Sequence, residues 1–205
     1  MLTQEQGGLF WPTGDQHCFR VASMELNNLD RVIARCLDRG IAVQAGGNVG
    51  VFAKHLAAVF AAVYTFEPDA ENFHCLVRNV VEPNVVKIQS ALGFNRKLVD
   101  LERASNNVGA HAVKDGGIIP VLRIDDLALP SCGLIYLDVE GYELEALHGA
   151  FWTIKQYAPV IAFEDKGLGK PYGSEQGDCA KYLAQFNYRV IDQVGNDVVC
   201  IKPTL

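Results

Sequence analysis

Three apolar stretches in the first half of the chain each end in residues suited to binding a nucleoside. The first runs into the turn "VQAGGNVGVF", where glycines let the backbone approach a ligand without obstruction from a Cβ atom. The second ends in Glu67, whose carboxylate can accept hydrogen bonds from both ribose hydroxyls. The third leads into a small polar residue and apolar ones, which could bracket an adenine. The residues expected to bind a cofactor that contains a nucleoside are Gln44, Gly46, Gly47, Asn48, Gly50, Glu67, Pro68, Ser90, Ala91, Leu92 and Asp138.

The glycine turn does not fit two common nucleotide sites. A phosphate-binding loop needs GxxxxGK[ST], whereas Gly50 is followed by Val51 and Phe52. A dinucleotide fingerprint needs GxGxxG, and counting from Gly46 the required glycines are replaced by Asn48 and Val51. A glycine turn, an acidic residue for the ribose and a strand end for the adenine follow one another in this order both in dinucleotide sites and in S-adenosylmethionine sites. The failed fingerprint favours S-adenosyl-L-methionine as the cofactor.

Carboxylates gather at two later strand ends. Asp138 ends the stretch "LIYLD", Glu140 lies in the adjoining turn, and Glu164 ends "VIAFE". There Asp138 can favour a cationic sulfonium or take a proton from the methyl acceptor. Asp138, Glu140 and Glu164 are therefore the predicted catalytic residues, with His111 as an auxiliary base from a loop over the site. Three carboxylates could also hold a hard cation such as Mg²⁺, but their spacing matches no recognised ligand set, so no metal is predicted.

Other polar residues near these positions have simpler explanations. Glu143 and Glu145 lie where a helix begins, and acids are favoured there by the helix dipole. Asn107 and Gly109 share the loop of His111 and could touch the substrate. The other histidines and the six cysteines show no clustering that would indicate a second site.

Short apolar strands alternate with helices of about a dozen residues, a pattern typical of parallel βαβ units. Strands are predicted at 41–45, 63–66, 85–89, 133–138 and 160–163, and helices at 25–39, 49–61, 69–80, 143–157 and 178–186. Two alternating runs flank Gly195-Asn196 near the C-terminus, which is a hairpin signal. The fold class is therefore α/β, with a mostly parallel, Rossmann-like sheet that ends in an antiparallel hairpin and has helices on both faces.

A single domain is expected for residues 1–205. Residues 1–40 form an N-terminal segment and helix, of which 1–22 are predicted to be irregular, and residues 41–205 form the core. Residues 94–124 contain the loop-like "ASNNVG" and "KDGG" and are predicted to be an insertion near the functional edge of the sheet.

The composition narrows the function classes. A net charge of −6 argues against a general nucleic-acid surface. No apolar run approaches the roughly 20 residues that a membrane helix needs. The first twenty residues lack the basic and apolar regions of a signal peptide, and the cysteines form no CxxC pair. These features favour a cytoplasmic protein with no membrane span and no nucleic-acid partner.

A resemblance adds to this interpretation. The motifs "VQAGGNVGVF", "FEPDAENF", "SALGFN", "IDDL" and "LIYLDVEGYELEALHGA" occur in that order and together resemble the FkbM family of S-adenosylmethionine-dependent methyltransferases. The resemblance spans roughly residues 41–165. It implies the class I methyltransferase fold with a seven-stranded sheet. It also implies O-methylation of a hydroxyl on a small molecule, sugar or lipid.

The chain departs from that family at Gln44, where the family usually has Asp. Gln can still accept a hydrogen bond but carries no charge, so cofactor binding is expected to be weaker or differently arranged. Two other functions remain open from the sequence: an NAD(P)-binding oxidoreductase, and a non-catalytic S-adenosylmethionine binder.

Overall fold

The computed structural model of the protein describes residues 2–13, 15, 17–104 and 107–203. In chain order the strands are β1 (Thr3–Gln6), β2 (Leu9–Pro12), β3 (Ile41–Ala45), β4 (Ala62–Phe66), β5 (Val85–Ile88), β6 (Ala91–Leu92), β7 (Leu98–Glu102), β8 (Ala112–Asp115), β9 (Ile119–Leu122), β10 (Leu134–Leu137), β11 (Val160–Glu164), β12 (Arg189–Val194) and β13 (Asp197–Ile201). The helices are α1 (Cys18–Ile33), α2 (Val51–Ala57), α3 (Ala70–Asn79), α4 (Glu143–His148), α5 (Phe151–Tyr157) and α6 (Asp178–Ala184).

Seven strands form the central sheet, in the order β12-β13-β11-β10-β3-β4-β5. Strands β3, β4, β5, β10 and β11 are parallel, and β13 runs antiparallel to both β11 and β12. The predicted fold class is confirmed, including the seven strands and the C-terminal antiparallel hairpin.

The strand register brings the predicted site residues to one edge. Ala45, Phe66, Leu137 and Phe163 lie side by side on four neighbouring strands. The chain proceeds from β3 to β4 and β5 on one side, and β10 and β11 lie on the other. Open parallel sheets bind ligands at such a reversal of strand order, outside the carboxyl ends of the strands. The edge that follows β3 and β10 is therefore where a site is expected.

Apolar side chains cover both faces of the sheet. Helices α1, α2 and α3 pack on one face and α4, α5 and α6 on the other. Successive residues of β3 belong to opposite faces of the sheet. Ala42 packs in the core beneath α1, α2 and α3, and Val43 packs in the core beneath α4, α5 and α6. Strands buried on both faces explain why the sequence shows continuous apolar runs rather than alternation. No helix in the described ranges is long and apolar enough to cross a membrane.

Helix α1 differs from the predicted helix at 25–39. It begins at Cys18, because the buried Asp15 carboxylate accepts hydrogen bonds from the N–H groups of His17, Cys18 and Phe19. It ends at Ile33, six residues earlier than predicted. The N-terminal segment is also more regular than predicted, since β1 and β2 form an antiparallel hairpin.

The single helix predicted at 143–157 is two helices. Gly149 separates them, and a Cβ atom there would clash with the carbonyl oxygen of Gly93. The carboxylate of Asp125 then caps α5, since it accepts hydrogen bonds from the N–H groups of Trp152 and Thr153. Helix α2 is likewise shorter than the predicted 49–61: it begins at Val51, after Gly50 in a left-handed conformation, and ends at Ala57.

Two smaller units border the site edge. Strands β6 to β9, which follow β5 and precede β10 in the chain, form a four-stranded sheet in the order β6-β9-β7-β8. The β1–β2 hairpin packs on α3, where Asn79 exchanges two hydrogen bonds with the backbone of Phe10 and Arg78 lies over the Phe10 ring. Both units place loops beside the carboxyl ends of β3, β4 and β10.

Candidate functional site

A cavity of about 190 Å³ opens at the carboxyl edge of the sheet. It contains most of the residues predicted from the sequence: Gln44, Gly46, Gly47, Asn48, Glu67, Pro68, Ser90, Ala91, Leu92, His111, Asp138, Glu140 and Glu164. The residues predicted to bind a nucleoside lie at one end of the cavity, after β3, β4 and β5, which we call the nucleoside end. The carboxylates of Asp138, Glu140 and Glu164 lie at the other end, after β10 and β11, which we call the acidic end.

Gly50 is the predicted site residue that does not line the cavity. It has a φ of 96° and precedes α2, and a Cβ atom there would clash with a Val80 methyl group. Its role is to let the turn enter the helix while α3 packs closely beneath it.

The glycine turn is held by its neighbours on both sides. Gly46 has a φ of 80°, and a Cβ atom there would clash with the carbonyl oxygen of Asp138. The N–H groups of Gly46 and Gly47 both donate to the Phe66 carbonyl, at 3.1 and 2.8 Å. Asn48 takes a left-handed φ of 46°, and its N–H donates to Glu67 at 2.6 Å. The turn therefore lies between the ends of β4 and β10 with no room for a larger residue at Gly46.

Gln44, the departure from the family pattern, is fully engaged within the protein. It is 1% exposed, accepts a hydrogen bond from the Thr65 hydroxyl, and donates to the Gly46 carbonyl at 2.8 Å. The amide thus fixes the orientation of the glycine turn. A carboxylate at this position could not donate to the Gly46 carbonyl, so the Gln side chain holds the turn in a way that Asp could not.

Glu67 is a buried carboxyl with defined partners. It is 5% exposed, and its two oxygens accept the N–H groups of Asn48 and Asp69, at 2.6 and 2.7 Å. Burial raises the pKa of Glu67 to about 8, although these two N–H groups lower it. Each carboxylate oxygen keeps a second lone pair, so ribose hydroxyls can still donate to it.

Two buried polar atoms beside this end of the cavity have no partner in the described part of the chain. They are the hydroxyl of Ser90, which is 0% exposed, and the amide oxygen of Asn72, which is 2% exposed. Buried polar atoms are nearly always hydrogen-bonded, so orphaned atoms that line a cavity indicate a polar ligand. A nucleoside fits, because its ribose and base carry donors and acceptors. Asn72 is a residue that the sequence reasoning missed.

Three carboxylates meet at the other end of the cavity. One oxygen from each of Asp138, Glu140 and Glu164 lies within 4.8 Å of the others. Burial and the two neighbouring carboxylates raise the pKa of Asp138 well above its usual value. Burial also raises the pKa of Glu140, against the opposing effect of Lys166. The Lys166 ammonium lies 2.7 Å from Glu164 and 4.0 Å from Glu140, so this lysine is part of the site and not only of a solvated loop.

Glu143 holds a turn in place, whereas the sequence suggested only a favourable interaction with the helix dipole. Its buried carboxyl accepts the N–H groups of Val139 and Gly141, at 3.0 and 3.2 Å. These bonds hold the turn in which Glu140 has a left-handed φ of 52°. Burial raises the pKa of Glu143 to about 7. The sequence signal for this role was the position of Glu143 two residues after Gly141.

His111 lines the cavity but lies in a different environment from Asp138. The backbone N–H of Ala104 donates to its Nδ1 at 3.2 Å. Burial lowers the pKa of His111, while the Asp69 carboxylate raises it and Arg103 lowers it. Arg103 and Asp69 form an ion pair of 2.8 Å that joins β7 to the start of α3. The structure therefore places His111 with the groups beside Glu67, and not with the three carboxylates.

Part of the cavity wall comes from segments whose path the sequence did not reveal. Trp11, His17, Cys18, Val21 and Glu25 reach it from the N-terminal segment and α1. Asn107, Val108 and Gly109 reach it from the loop after β7. The two segments touch, since the Cys18 thiol lies 2.9 Å from the Asn107 amide oxygen. They enclose the space beyond the strand ends.

Comparison with known sequences gives a family match. The sequence model described as "Methyltransferase FkbM domain" matches residues 44–190, which cover the glycine turn, the Glu67 strand end and the acidic cluster. No curated protein matches the chain.

Several solved structures share the fold. FkbM methyltransferase from Methylobacillus flagellatus KT has a TM-score of 0.53 and 17% identity, over 80% of this chain and 43% of that one. This chain thus spans less than half of that protein's length. An rRNA methylase from Streptococcus thermophilus has a TM-score of 0.52 and 13% identity, over 87% and 95% of the two chains. Magnesium protoporphyrin IX methyltransferase from Synechocystis PCC 6803, with bound SAM, has a TM-score of 0.51 and 13% identity, over 90% and 82%.

Proposed function

Because the chain belongs to the FkbM family of methyltransferases and its cofactor is S-adenosylmethionine, we propose that it methylates a hydroxyl oxygen of a small molecule, sugar or lipid. The bound cofactor supplies a methyl group on a positively charged sulfur. A hydroxyl group must lose its proton as the new oxygen–carbon bond forms. The observation that carries the proposal is Asp138, a partly exposed carboxyl that follows β10, lines the cavity and has a raised pKa that suits a proton acceptor.

The nucleoside end of the cavity would hold the cofactor. We assign the ribose hydroxyls to Glu67, whose carboxylate oxygens face the cavity with lone pairs free. The Ser90 hydroxyl and the Leu92 side chain would border the adenine, and a hydrogen bond from the base would satisfy the orphaned Ser90 oxygen. The absence of side chains at Gly46 and Gly47 lets the turn pack closely against Asp138, Leu76 and Thr65, which would fix its backbone beside the rest of the cofactor.

The acceptor would lie between the acidic cluster and the N-terminal wall. Glu140 and Glu164 lie close to Asp138, and His17, just before α1, and Glu25, on α1, line the same cavity. Most of the rate enhancement would come from holding the acceptor oxygen in line with the methyl group in an enclosed cavity. Asp138 would receive the proton or stabilise the positive charge before transfer.

A nucleic-acid acceptor fits this cavity less well. Carboxylates of Glu25, Glu140 and Glu164 would repel phosphate groups, and Lys166 is itself paired with Glu164. The likeness to the rRNA methylase is one of fold and brings no acceptor with it.

Binding of the cofactor product gives the first test. S-adenosylhomocysteine at about 100 times its dissociation constant should raise the unfolding temperature by roughly 5–10 °C, since such an excess stabilises the folded state by about 2.7 kcal/mol. NAD and NADP should give no shift, because the dinucleotide fingerprint is missing. A shift with NAD and none with S-adenosylhomocysteine would contradict the assignment.

Transfer itself is tested with S-adenosylmethionine and a panel of hydroxylated sugars, lipids and phenols, with amines and thiols of matched size as controls. Methylated products identified by mass spectrometry should come from the hydroxyl compounds. Methylation confined to amines or thiols would refute the oxygen acceptor while leaving the methyltransferase assignment intact. Binding without any transfer would instead favour the non-catalytic binder.

The role of Glu67 predicts a pH-dependent affinity. Ribose hydroxyls donate to a carboxylate, so the ionised form of Glu67 binds the cofactor more tightly. Because its pKa is about 8, the free protein is mostly protonated there at pH 6 and must lose that proton on binding. The affinity for S-adenosylhomocysteine should therefore rise between pH 6 and 8 and level off above that range.

The control is Glu67→Gln, which keeps the size and one acceptor oxygen but does not titrate. At pH 9 it should bind S-adenosylhomocysteine about 1–3 kcal/mol more weakly than the unmodified protein, and at pH 6 the two should differ little. Calorimetry at four pH values measures both, and the variant retains any titration of the ligand itself. Parallel pH profiles of affinity for the two proteins would show that Glu67 does not bind the ribose hydroxyls.

A further inference from the structure

Asn72, on α3, contacts the wall of the cavity with one end of its amide and leaves the other end unpaired. Its Nδ2 atom donates a hydrogen bond to the Val108 carbonyl at 2.7 Å, and its Oδ1 atom has no partner among the residues that the structure describes. A carbonyl oxygen can only accept, so the Val108 contact fixes which end of the amide is the nitrogen. The side chain is 2% exposed and lines the cavity. Because buried polar atoms are nearly always paired, Oδ1 indicates a hydrogen-bond donor on a ligand.

The same amide lies beside the carboxyl that we assign to the ribose. Burial raises the pKa of Glu67, and the Asn72 side chain is among the groups that lower it by hydrogen bonding. Glu67 is itself fixed by the N–H groups of Asn48 and Asp69. The nucleoside end therefore offers the ribose hydroxyls two acceptors side by side, a carboxylate and an amide oxygen.

The hydrogen-bond partner of Asn72 belongs to a segment that bounds the cavity. Residues 107–109, which we call the wall segment, line the cavity after β7. The Val108 side chain is 9% exposed and packs in a cluster with Trp11 and Cys18. Asn72 thus ties α3 to a segment that reaches across to the N-terminal side of the cavity.

We propose that Asn72 is a positioning residue that links the bound nucleoside to the wall segment. Without a ligand, any rotation of the amide that finds a donor for Oδ1 weakens the bond from Nδ2 to Val108. With the nucleoside bound, one orientation of the planar amide makes both bonds. The cofactor therefore stabilises the wall segment, and the wall segment stabilises the bound cofactor to the same extent.

The link rests on the cofactor placement proposed above and adds an order of events to it. The wall segment helps to enclose the space in which the acceptor would lie. Because the segment is held best when the nucleoside is bound, the cofactor binds before the acceptor. The acceptor then meets an enclosed space from which water is excluded, as methyl transfer requires.

Hydrogen–deuterium exchange of backbone amides measures the link without any acceptor. In the unmodified protein, saturating S-adenosylhomocysteine should slow exchange about tenfold in the glycine turn at 46–50 and in the wall segment. Asn72→Leu keeps a branched side chain that excludes water but can neither donate nor accept. It should bind S-adenosylhomocysteine about tenfold more weakly. At saturation it should keep the protection of the glycine turn and lose that of the wall segment.

The matched control is Asn84→Leu. The Asn84 amide also donates to backbone carbonyls, those of Ala57 and Phe60, but it does not line the cavity. Its variant should unfold at a lower temperature and keep both the affinity and the protection of the wall segment. A purely structural role for Asn72 would speed exchange in the wall segment by the same factor with and without the ligand, and so would leave the ligand-dependent protection in place.

Arg103→Met keeps the test decisive if Asn72→Leu does not fold. The Arg103 side chain is 53% exposed and pairs with Asp69 at 2.8 Å, which anchors the chain on the β7 side of the wall segment. Without this ion pair the wall segment should exchange faster in the absence of a ligand, and S-adenosylhomocysteine should restore its protection through Asn72.

Two results would overturn the link while methyl transfer stands. In the first, S-adenosylhomocysteine protects the glycine turn but slows exchange in the wall segment of neither the unmodified protein nor Arg103→Met. In the second, Asn72→Leu and the unmodified protein show equal protection of the wall segment. If S-adenosylhomocysteine does not bind at all, the cofactor placement fails and the link fails with it. Methylation confined to amines or thiols would refute only the proposed hydroxyl acceptor.

Discussion

Asp138→Asn is expected to lower turnover by roughly 10²–10⁴ while the affinity for S-adenosylhomocysteine changes little. Asparagine keeps the size of the side chain and removes the charge and the proton acceptor. If Asp138 acts only while the methyl group moves, the loss must appear in kcat. If it only positions the cofactor, KM for S-adenosylmethionine rises instead and turnover at saturation survives.

Stability provides a second readout for this variant. The Asp138 carboxyl is partly exposed to the cavity and has no hydrogen-bond donor among the described residues; desolvation and the neighbouring carboxylates of Glu164 and Glu140 raise its pKa well above the usual range. Such a group destabilises the folded state, because its charged form has lost part of its water and lies beside two like charges. Asp138→Asn should therefore unfold at the same temperature as the unmodified protein or a higher one. A residue that holds the fold together would show the opposite.

The matched control is Asp100→Asn, which makes the same change at an exposed position on β7 outside the cavity. Its kcat and unfolding temperature should equal those of the unmodified protein. Turnover of Asp138→Asn within a factor of two of this control would exclude Asp138 from the chemistry. Addition of a chelator to the unmodified protein shows separately whether a cation contributes to the same rate.

The strand ends were the predictable part of the site. Short apolar runs fix where the parallel strands lie, and parallel strands end at a common edge. Glu67, Asp138 and Glu164 could therefore be assigned to one edge before any coordinates were known. The register that aligns Ala45 with Phe66 and Leu137 agrees with that reasoning.

The loops were not predictable in the same way, because long-range contacts decide their paths. Asp125 caps a helix 26 residues further along the chain, and this contact divides the predicted helix at 143–157. The ion pair of Arg103 with Asp69 carries the loop of His111 toward Glu67 and away from Asp138. Neither contact has a local signal in hydrophobic periodicity, which reports only which face of an element is buried.

The N-terminal wall illustrates the same limit. The sequence "GGLFWPTGD" is rich in turn-forming residues, which favours an irregular segment. Phe10 nevertheless pairs with Asn79, and Trp11 is 3% exposed in a cluster with Cys18 and Val108. These partners lie far apart in sequence, so the segment's role beside the acceptor space follows only from the folded structure.

Gly46→Ala should weaken S-adenosylhomocysteine binding by roughly 30-fold to several thousand-fold, which corresponds to about 2–5 kcal/mol. Two effects add. The residue has a φ of 80°, a left-handed conformation that disfavours a side chain by about 1–2 kcal/mol. The added methyl group would also clash with the Asp138 carbonyl, and overpacking of this kind costs about 1–3 kcal/mol. The turn can relieve both by moving away from β10, which takes it out of the geometry that the cofactor needs.

Gly173→Ala separates conformational strain from the loss of the site. Gly173 has a φ of 78°, almost the same as that of Gly46, but no atom lies within 4 Å of the position its Cβ would take. Its variant should lose about 1–2 kcal/mol of stability and bind S-adenosylhomocysteine normally. Calorimetry measures the affinities, and circular dichroism shows whether each variant is folded.

Gly47→Ala keeps the test decisive if Gly46→Ala does not fold. Gly47 has no left-handed φ, and its Cβ atom would lie 2.7 Å from a Leu76 methyl carbon and 2.8 Å from the Thr65 hydroxyl oxygen. Because the Leu76 side chain can shift, the fold should survive, while the turn moves by a few tenths of an ångström relative to Glu67. Binding should weaken, though less than in Gly46→Ala. If both alanine variants bind S-adenosylhomocysteine as tightly as Gly173→Ala does, the glycine turn does not hold the cofactor, and the nucleoside must contact the sheet edge elsewhere.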